Sequence, residues 1–219
     1  MNNHQPPSLW SGQLLHFAVL ILLLPLTWFL WVKIGQPFPV LFWLSIGVPI
    51  AHQVFVWIGW RIELKSKAVS NSIGFTNYLI IFFVLLVARP ILVLLLAWAD
   101  GESLGLGLVP RIIVAIALLV PAIYAMYSVN KYFGFIRAAG GDHFDLNYRN
   151  MPLVKKCMFK YSGNSMYVFG FLMFWGIAIA FNSSAALLAS GFCHVYIWVH
   201  YFATEKPDMD YLYGGHQLL

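Results

Sequence analysis

Two groups of residues in the last third of the chain have the types and spacing to do chemistry. The first reads Gly134-Phe-Ile-Arg137-Ala-Ala-Gly140-Gly141-Asp142-His143-Phe144, inside a polar stretch from Asn130 to Gly163. Glycines let a ligand approach the backbone closely, while Asp142 and His143 supply an acceptor and a titratable base. The same composition fits a turn at a membrane surface that leads into a lipid-contacting amphipathic segment, and the residues alone weigh equally for the two. The second group is Asn164, Tyr167, His194, His200 and Glu205. They stand toward the polar ends of an apolar hairpin whose limbs are joined only by Asn182-Ser183-Ser184, so both ends return to one membrane face. Tyr196 and His200 share a helix face; His194 and His200, six apart, do not. On spacing alone, His200 and Glu205 fit ordinary interfacial residues slightly better than ligands. No His and carboxylate spacing suits zinc or a di-iron centre, so no metal is expected. Cys157 and Cys193 belong to no metal or redox motif and read as two reduced thiols.

The elements that position these residues follow from composition. Only 10% of the 219 residues are charged, against roughly a quarter in a soluble domain, and apolar runs of about 20 residues recur along the chain. The chain reads as an all-α, polytopic membrane bundle of about six spans: 13–33, 40–60, 76–98, 109–129, 164–181 and 185–202. Residues 1–130 form a four-span N-terminal region. Residues 131–219, the polar loop with the closing hairpin and tail, form the functional core. Arg61 to Lys67 reads as a basic loop, and Pro121 as the site of a kink. His52, Gln53 and Arg89 fall within spans, where polar groups mark function or a helix–helix contact; His4, His16 and His216 read as incidental. Of the 13 Lys and Arg residues, all but Lys33, Arg111 and Arg89 fall on one face. Basic residues favour the cytoplasm, which predicts cytoplasmic termini and a cytoplasmic polar loop. No basic run alternates with aromatics on a polar segment, so nucleic acid is not an expected partner; the bilayer is.

The segment from Gly134 to Gly214 resembles the C-terminal part of phosphatidylethanolamine N-methyltransferases, relatives of the isoprenylcysteine carboxyl methyltransferases. Gly141-Asp142-His143-Phe144 is similar to that family's Gly-Asp-Tyr-Phe. Asn164-Ser165-Met166-Tyr167, with Gly170 just downstream, is similar to Asn-Pro-Met-Tyr followed by Gly. Glu205-Lys206-Pro207, ending at Tyr213, is similar to Glu-Glu-Pro followed by Tyr. The chain departs from the pattern at Ser165 and Lys206. It also has Val120-Pro121-Ala122 about where phosphatidylethanolamine enzymes carry Gly-x-Gly.

The resemblance implies methyl transfer from S-adenosylmethionine, released as S-adenosylhomocysteine, to a membrane lipid head group on the cytoplasmic face of a bacterial inner membrane or the endoplasmic reticulum. It implies that Glu205 takes the cofactor's ammonium, Arg137 its carboxylate, and Asn164, Met166, Tyr167, Gly141, Gly170 and Pro207 the rest. His143 and Asp142, then His200, are the candidates for the base that an amine acceptor requires. Carboxyl methylation of an isoprenylated or other lipidated thiol compound is a second reading, and a non-catalytic protein of the same fold a third, which Lys206 favours.

Overall fold

A computed structural model describes residues 5–214, and His4 and His216 lie outside them. Its helices pack as one bundle, and no strand occurs among the described residues. Five are long and apolar enough to cross a membrane: α1 (Gln13–Lys33), α2 (Pro39–Ser66), α3 (Phe75–Ala99), α4 (Leu108–Phe133) and α6 (Ser184–Tyr213). A shorter apolar helix, α5 (Met166–Ala180), is the first limb of the hairpin. Pro25, Pro49, Pro90 and Pro121 sit inside the first four helices, as membrane helices tolerate when neighbours satisfy the freed backbone groups. Large apolar side chains such as Leu14, Ile21, Ile80, Val84, Ile113 and Ile123 are exposed on the outer faces, where the surrounding solvent is hydrocarbon.

The hairpin is the hub. α5 packs on α3, α4 and α6, while α6 also meets α1, α2 and α3. Small residues make this possible: Ala178, Ala185, Ala186 and Ala189 are fully buried, and small side chains let membrane helices approach closely. At the hairpin turn the Ser183 hydroxyl caps α6 by accepting from the Ala186 N–H at 3.0 Å. Asp100 at the end of α3 accepts from the Ser183 hydroxyl at 2.7 Å and the Ala185 N–H at 2.9 Å. Asn182 Oδ1 accepts from the Leu106 N–H. The turn is therefore tied to the connection between α3 and α4.

Two boundaries differ from the sequence reading. α2 runs on to Ser66, through the stretch expected to be a basic loop. Arg61 and Glu63 there are buried, because each finds a partner: Arg61 pairs with Asp208 at 2.7 Å, and Glu63 accepts from the Ser70 N–H and hydroxyl. α6 does not stop near Phe202 but continues to Tyr213. At the same end of the bundle α4, α5 and α6 each contain one π turn: Val129–Phe133, Met166–Gly170 and Tyr201–Glu205. Such turns are rare and recur at functional sites.

Candidate active site

Two of the π turns carry residues singled out in the sequence. Met166, Tyr167 and Gly170 lie in one and Glu205 in another. The turns face each other, and the Tyr167 hydroxyl donates to Glu205 Oε2. Beside this pair is a cavity of about 530 Å³ between α2, α3, α4, α5 and α6. Met166, Tyr167, Gly170 and His200 line it, together with Trp60. A side chain at Gly170 would meet only the Met126 sulfur, at 3.7 Å, so this glycine keeps the wall open without being forced by packing.

The polar loop does something different. His143 is buried, with Nδ1 3.0 Å from Asp142 Oδ1 and Nε2 3.3 Å from Asp208 Oδ2. Tyr213 donates its hydroxyl to Asp142 at 2.9 Å, Arg149 donates to the Asp142 carbonyl, and Arg61 completes the set through Asp208. The imidazole stacks on the Trp60 indole, centroids 4.2 Å apart. Burial alone would pull His143 down, but its hydrogen bonds to the Asp142 and Asp208 carboxylates outweigh that and push it up to about 9. An imidazolium with both N–H groups donating has no free lone pair, which differs from the expectation of a free base at His143. Against burial, which would raise it, the His143 contact holds Asp142 below the ordinary carboxylate range.

This network has a pH signature. The raised His143 value means that its contribution to stability is complete below about pH 6.5, the unfolded value, and is lost as pH rises through about 9. Asp142, depressed, contributes above about pH 4 and loses its share as pH falls. Thermal stability is therefore expected to decline on the alkaline side between these limits. In His143→Gln, melting curves from pH 5 to 10 are expected to lose that slope.

Gly140 and Gly141 are packing residues. Gly140 has φ +84°, and a Cβ there would fall on the Trp60 indole. A Cβ at Gly141 would lie 2.9 Å from the Ile136 carbonyl oxygen and 3.1 Å from the Tyr148 ring. The space that the sequence reading reserved for a ligand is filled by the protein. Gly140→Ala is expected to cost about 1–3 kcal/mol through overpacking, read as a lower melting temperature in detergent.

The other candidates are placed as follows. Arg137 donates to the Pro152 carbonyl at 3.0 Å and the Met151 carbonyl at 3.2 Å, and lies over the Phe133 ring. Asn164 opens the π turn, its carbonyl accepting from the Tyr167 and Val168 N–H groups. Pro207 stands just past the π turn of α6, at the start of the terminal segment Lys206–Tyr213. Ser165 donates its hydroxyl to the Met158 carbonyl at 2.6 Å. Lys206 is exposed and paired with Asp210 at 2.9 Å.

Among the described residues no group of His, Cys, Asp and Glu is placed to hold a metal. The motif-bearing segment nonetheless forms one unit, with α4, the polar loop and the hairpin around a common cavity. Residues 110–216 match the phospholipid methyltransferase family. No curated protein and no solved structure matches the chain. The match spans just under half of the chain and takes in most of α4, the loop and the hairpin; α1, α2 and α3 lie outside it.

The family-matched segment is completed by residues from outside it, which the sequence reading missed. Trp60 and Arg61 come from α2. Ser8, Leu9 and Ser11, before α1, are held by Arg61 and Trp57 through their carbonyls. His16, read as incidental, is fully buried and bridges Gln13 at 2.9 Å and the Tyr196 hydroxyl at 2.5 Å. Gln13 Nε2 in turn donates to Thr204 Oγ1 beside Glu205. The one signal that pointed there was polarity: Gln13, His16, Arg61 and Asp208 are polar residues in or beside apolar spans.

Proposed function

We propose that this protein is an S-adenosylmethionine-dependent methyltransferase whose acceptor is the head group of a membrane lipid, with N-methylation of an ethanolamine-type amine as the reaction. The observation that carries the reading is the cavity lined by Met166, Tyr167, Gly170 and His200 beside the Tyr167–Glu205 pair, in a segment matching the phospholipid methyltransferase family. Its volume lies within the roughly 300–1,000 Å³ of small-molecule sites. The donor set suits the cofactor: a carboxylate at Glu205 for the ammonium, and the Tyr167 ring beside it. Bound there, the cofactor supplies a methyl group on a sulfonium and leaves as S-adenosylhomocysteine.

In this reading the protein's own work is alignment and proton removal. Glu205 and Tyr167 orient the amino-acid end, while Met166 and Gly170 border the rest. A primary ammonium holds its proton with a pKa of about 10, so an amine acceptor needs a base. His200 fits that role: it lines the cavity, is buried, and has no hydrogen-bond partner at Nδ1. The His143 network holds Trp60 against the same cavity and acts through position. Arg137 holds the loop through the Met151 and Pro152 carbonyls. The one-sided basic charge favours a cytoplasmic site, where adenosylmethionine is available.

The test is mass spectrometry of lipid extracts after expression in cells that lack methylated phospholipids. New mono-, di- or trimethylated ethanolamine lipids are expected; their absence in cells that produce the folded protein would overturn the acceptor. Carboxyl methylation of a lipidated thiol compound needs no amine base, so under that alternative His200→Ala would keep its activity.

A further inference from the structure

Seven buried polar atoms along the cavity wall have no hydrogen-bond partner: both ring nitrogens of His52, both amide atoms of Gln53, Nε and Nη2 of Arg89, and Nδ1 of His200. All four residues line the cavity, and none is more than 4% exposed. Buried polar groups are nearly always paired, and a buried unpaired charge is among the costliest features a fold can retain. Seven such atoms on four residues that line one cavity point to a ligand that pairs with them.

Their chemistry says which kind. Arg89 is always charged and is a donor only. No carboxylate among the described residues forms an ion pair with it. Its guanidinium lies over Phe171 at 5.0 Å and Phe174 at 5.9 Å, which supports the planar face and leaves edge N–H groups to be satisfied. His52 can donate one bond and Gln53 two. A guanidinium edge with neutral donors around it matches the oxygens of a carboxylate or phosphate. The rest of the wall is apolar, and Phe83 and Val87 belong both to it and to a groove on the outer, lipid-facing side of α3. An acyl chain entering from the bilayer would meet that border.

We infer that Arg89, His52 and Gln53 form an anion-reading site for the phosphate or carboxylate of the ligand in this cavity. All three lie outside the family-matched residues. The inference rests on the methyltransferase reading only in assigning that anion to the acceptor lipid in preference to the cofactor's carboxylate.

The test uses delipidated protein in detergent, with short-chain phosphatidylethanolamine, diacylglycerol of the same chains, and adenosylhomocysteine as probes. Wild type is expected to bind the phosphate-bearing lipid more tightly than the diacylglycerol. In Arg89→Met that preference is expected to fall roughly thirtyfold or more, with adenosylhomocysteine affinity unchanged; a loss confined to adenosylhomocysteine would assign the anion to the cofactor instead. The melting temperature of unliganded Arg89→Met is expected to hold or rise, because an uncompensated charge has been removed. A purely structural arginine would lower it. His52→Leu provides the same binding readout should Arg89→Met not fold. Unchanged affinity for both probes in a folded variant overturns the site. Wild type that ignores adenosylhomocysteine but discriminates the lipids would sink the methyltransferase reading and leave the anion site standing.

Discussion

Glu205→Gln is expected to weaken adenosylmethionine binding by about 2–5 kcal/mol, roughly thirtyfold to several thousandfold. The carboxylate stands at the π turn of α6 with its Oε2 accepting from the Tyr167 hydroxyl. No cation shares it among the described residues. An ammonium arriving there would gain a charge-assisted hydrogen bond, which an amide oxygen matches only in part. Glutamine keeps the shape and can still accept from Tyr167, so the fold is expected to survive. Isothermal calorimetry reads the effect, and wild-type affinity in the variant would remove Glu205 from the cofactor site. Tyr167→Phe, which leaves the charge in place, is expected to show a smaller loss.

Asp208→Ala is expected to be the most destabilising single change, at about 3–5 kcal/mol. Asp208 and Arg61 side chains are fully buried and 2.7 Å apart, and the other Asp208 oxygen faces His143 Nε2 at 3.3 Å. Deleting the carboxylate leaves the buried Arg61 without its counter-ion and His143 with Asp142 as its one carboxylate partner. Arg61 also donates to the Ser8, Ser11 and Thr204 carbonyls, so the damage is expected to reach the N-terminal segment and the turn that carries Glu205. Thermal unfolding followed by light scattering or tryptophan fluorescence reads the loss. Arg61→Met with Asp208→Leu is expected to recover much of it, since an apolar pair of similar volume avoids the stranded charges. A double variant no better than Asp208→Ala would show that the pair acts through something other than mutual compensation.

The two changes probe different layers of one site. Glu205 meets the cavity wall through Tyr167, whereas Asp208, three residues on, anchors the helix that presents it. Lys206, between them, is exposed and pairs with Asp210; the buried carboxylate of this segment is Asp208, and it serves α2 and the polar loop.

By itself the sequence determined the class and the outline. Low charge and repeated apolar runs leave no other way to satisfy the backbone than a bundle of membrane helices, and hairpin geometry returned Tyr167 and Glu205 to one face. Those are local or one-dimensional properties, set by residue type and the length of a span. The tertiary structure decided what the polar residues do. Asp142-His143 looked equally like a ligand turn or a surface turn, and became a buried ionic knot only because Arg61 and Asp208, 147 positions apart, meet at it. Gly140 and Gly141 suggested room for a ligand, but Trp60 and Tyr148 take that room. His52, Gln53 and Arg89 were each ambiguous alone, because spacing along a helix does not report which neighbour a side chain meets. Whether a buried polar atom has a partner is a property of several helices at once, and the ring nitrogens of His52 and the amide atoms of Gln53 have none.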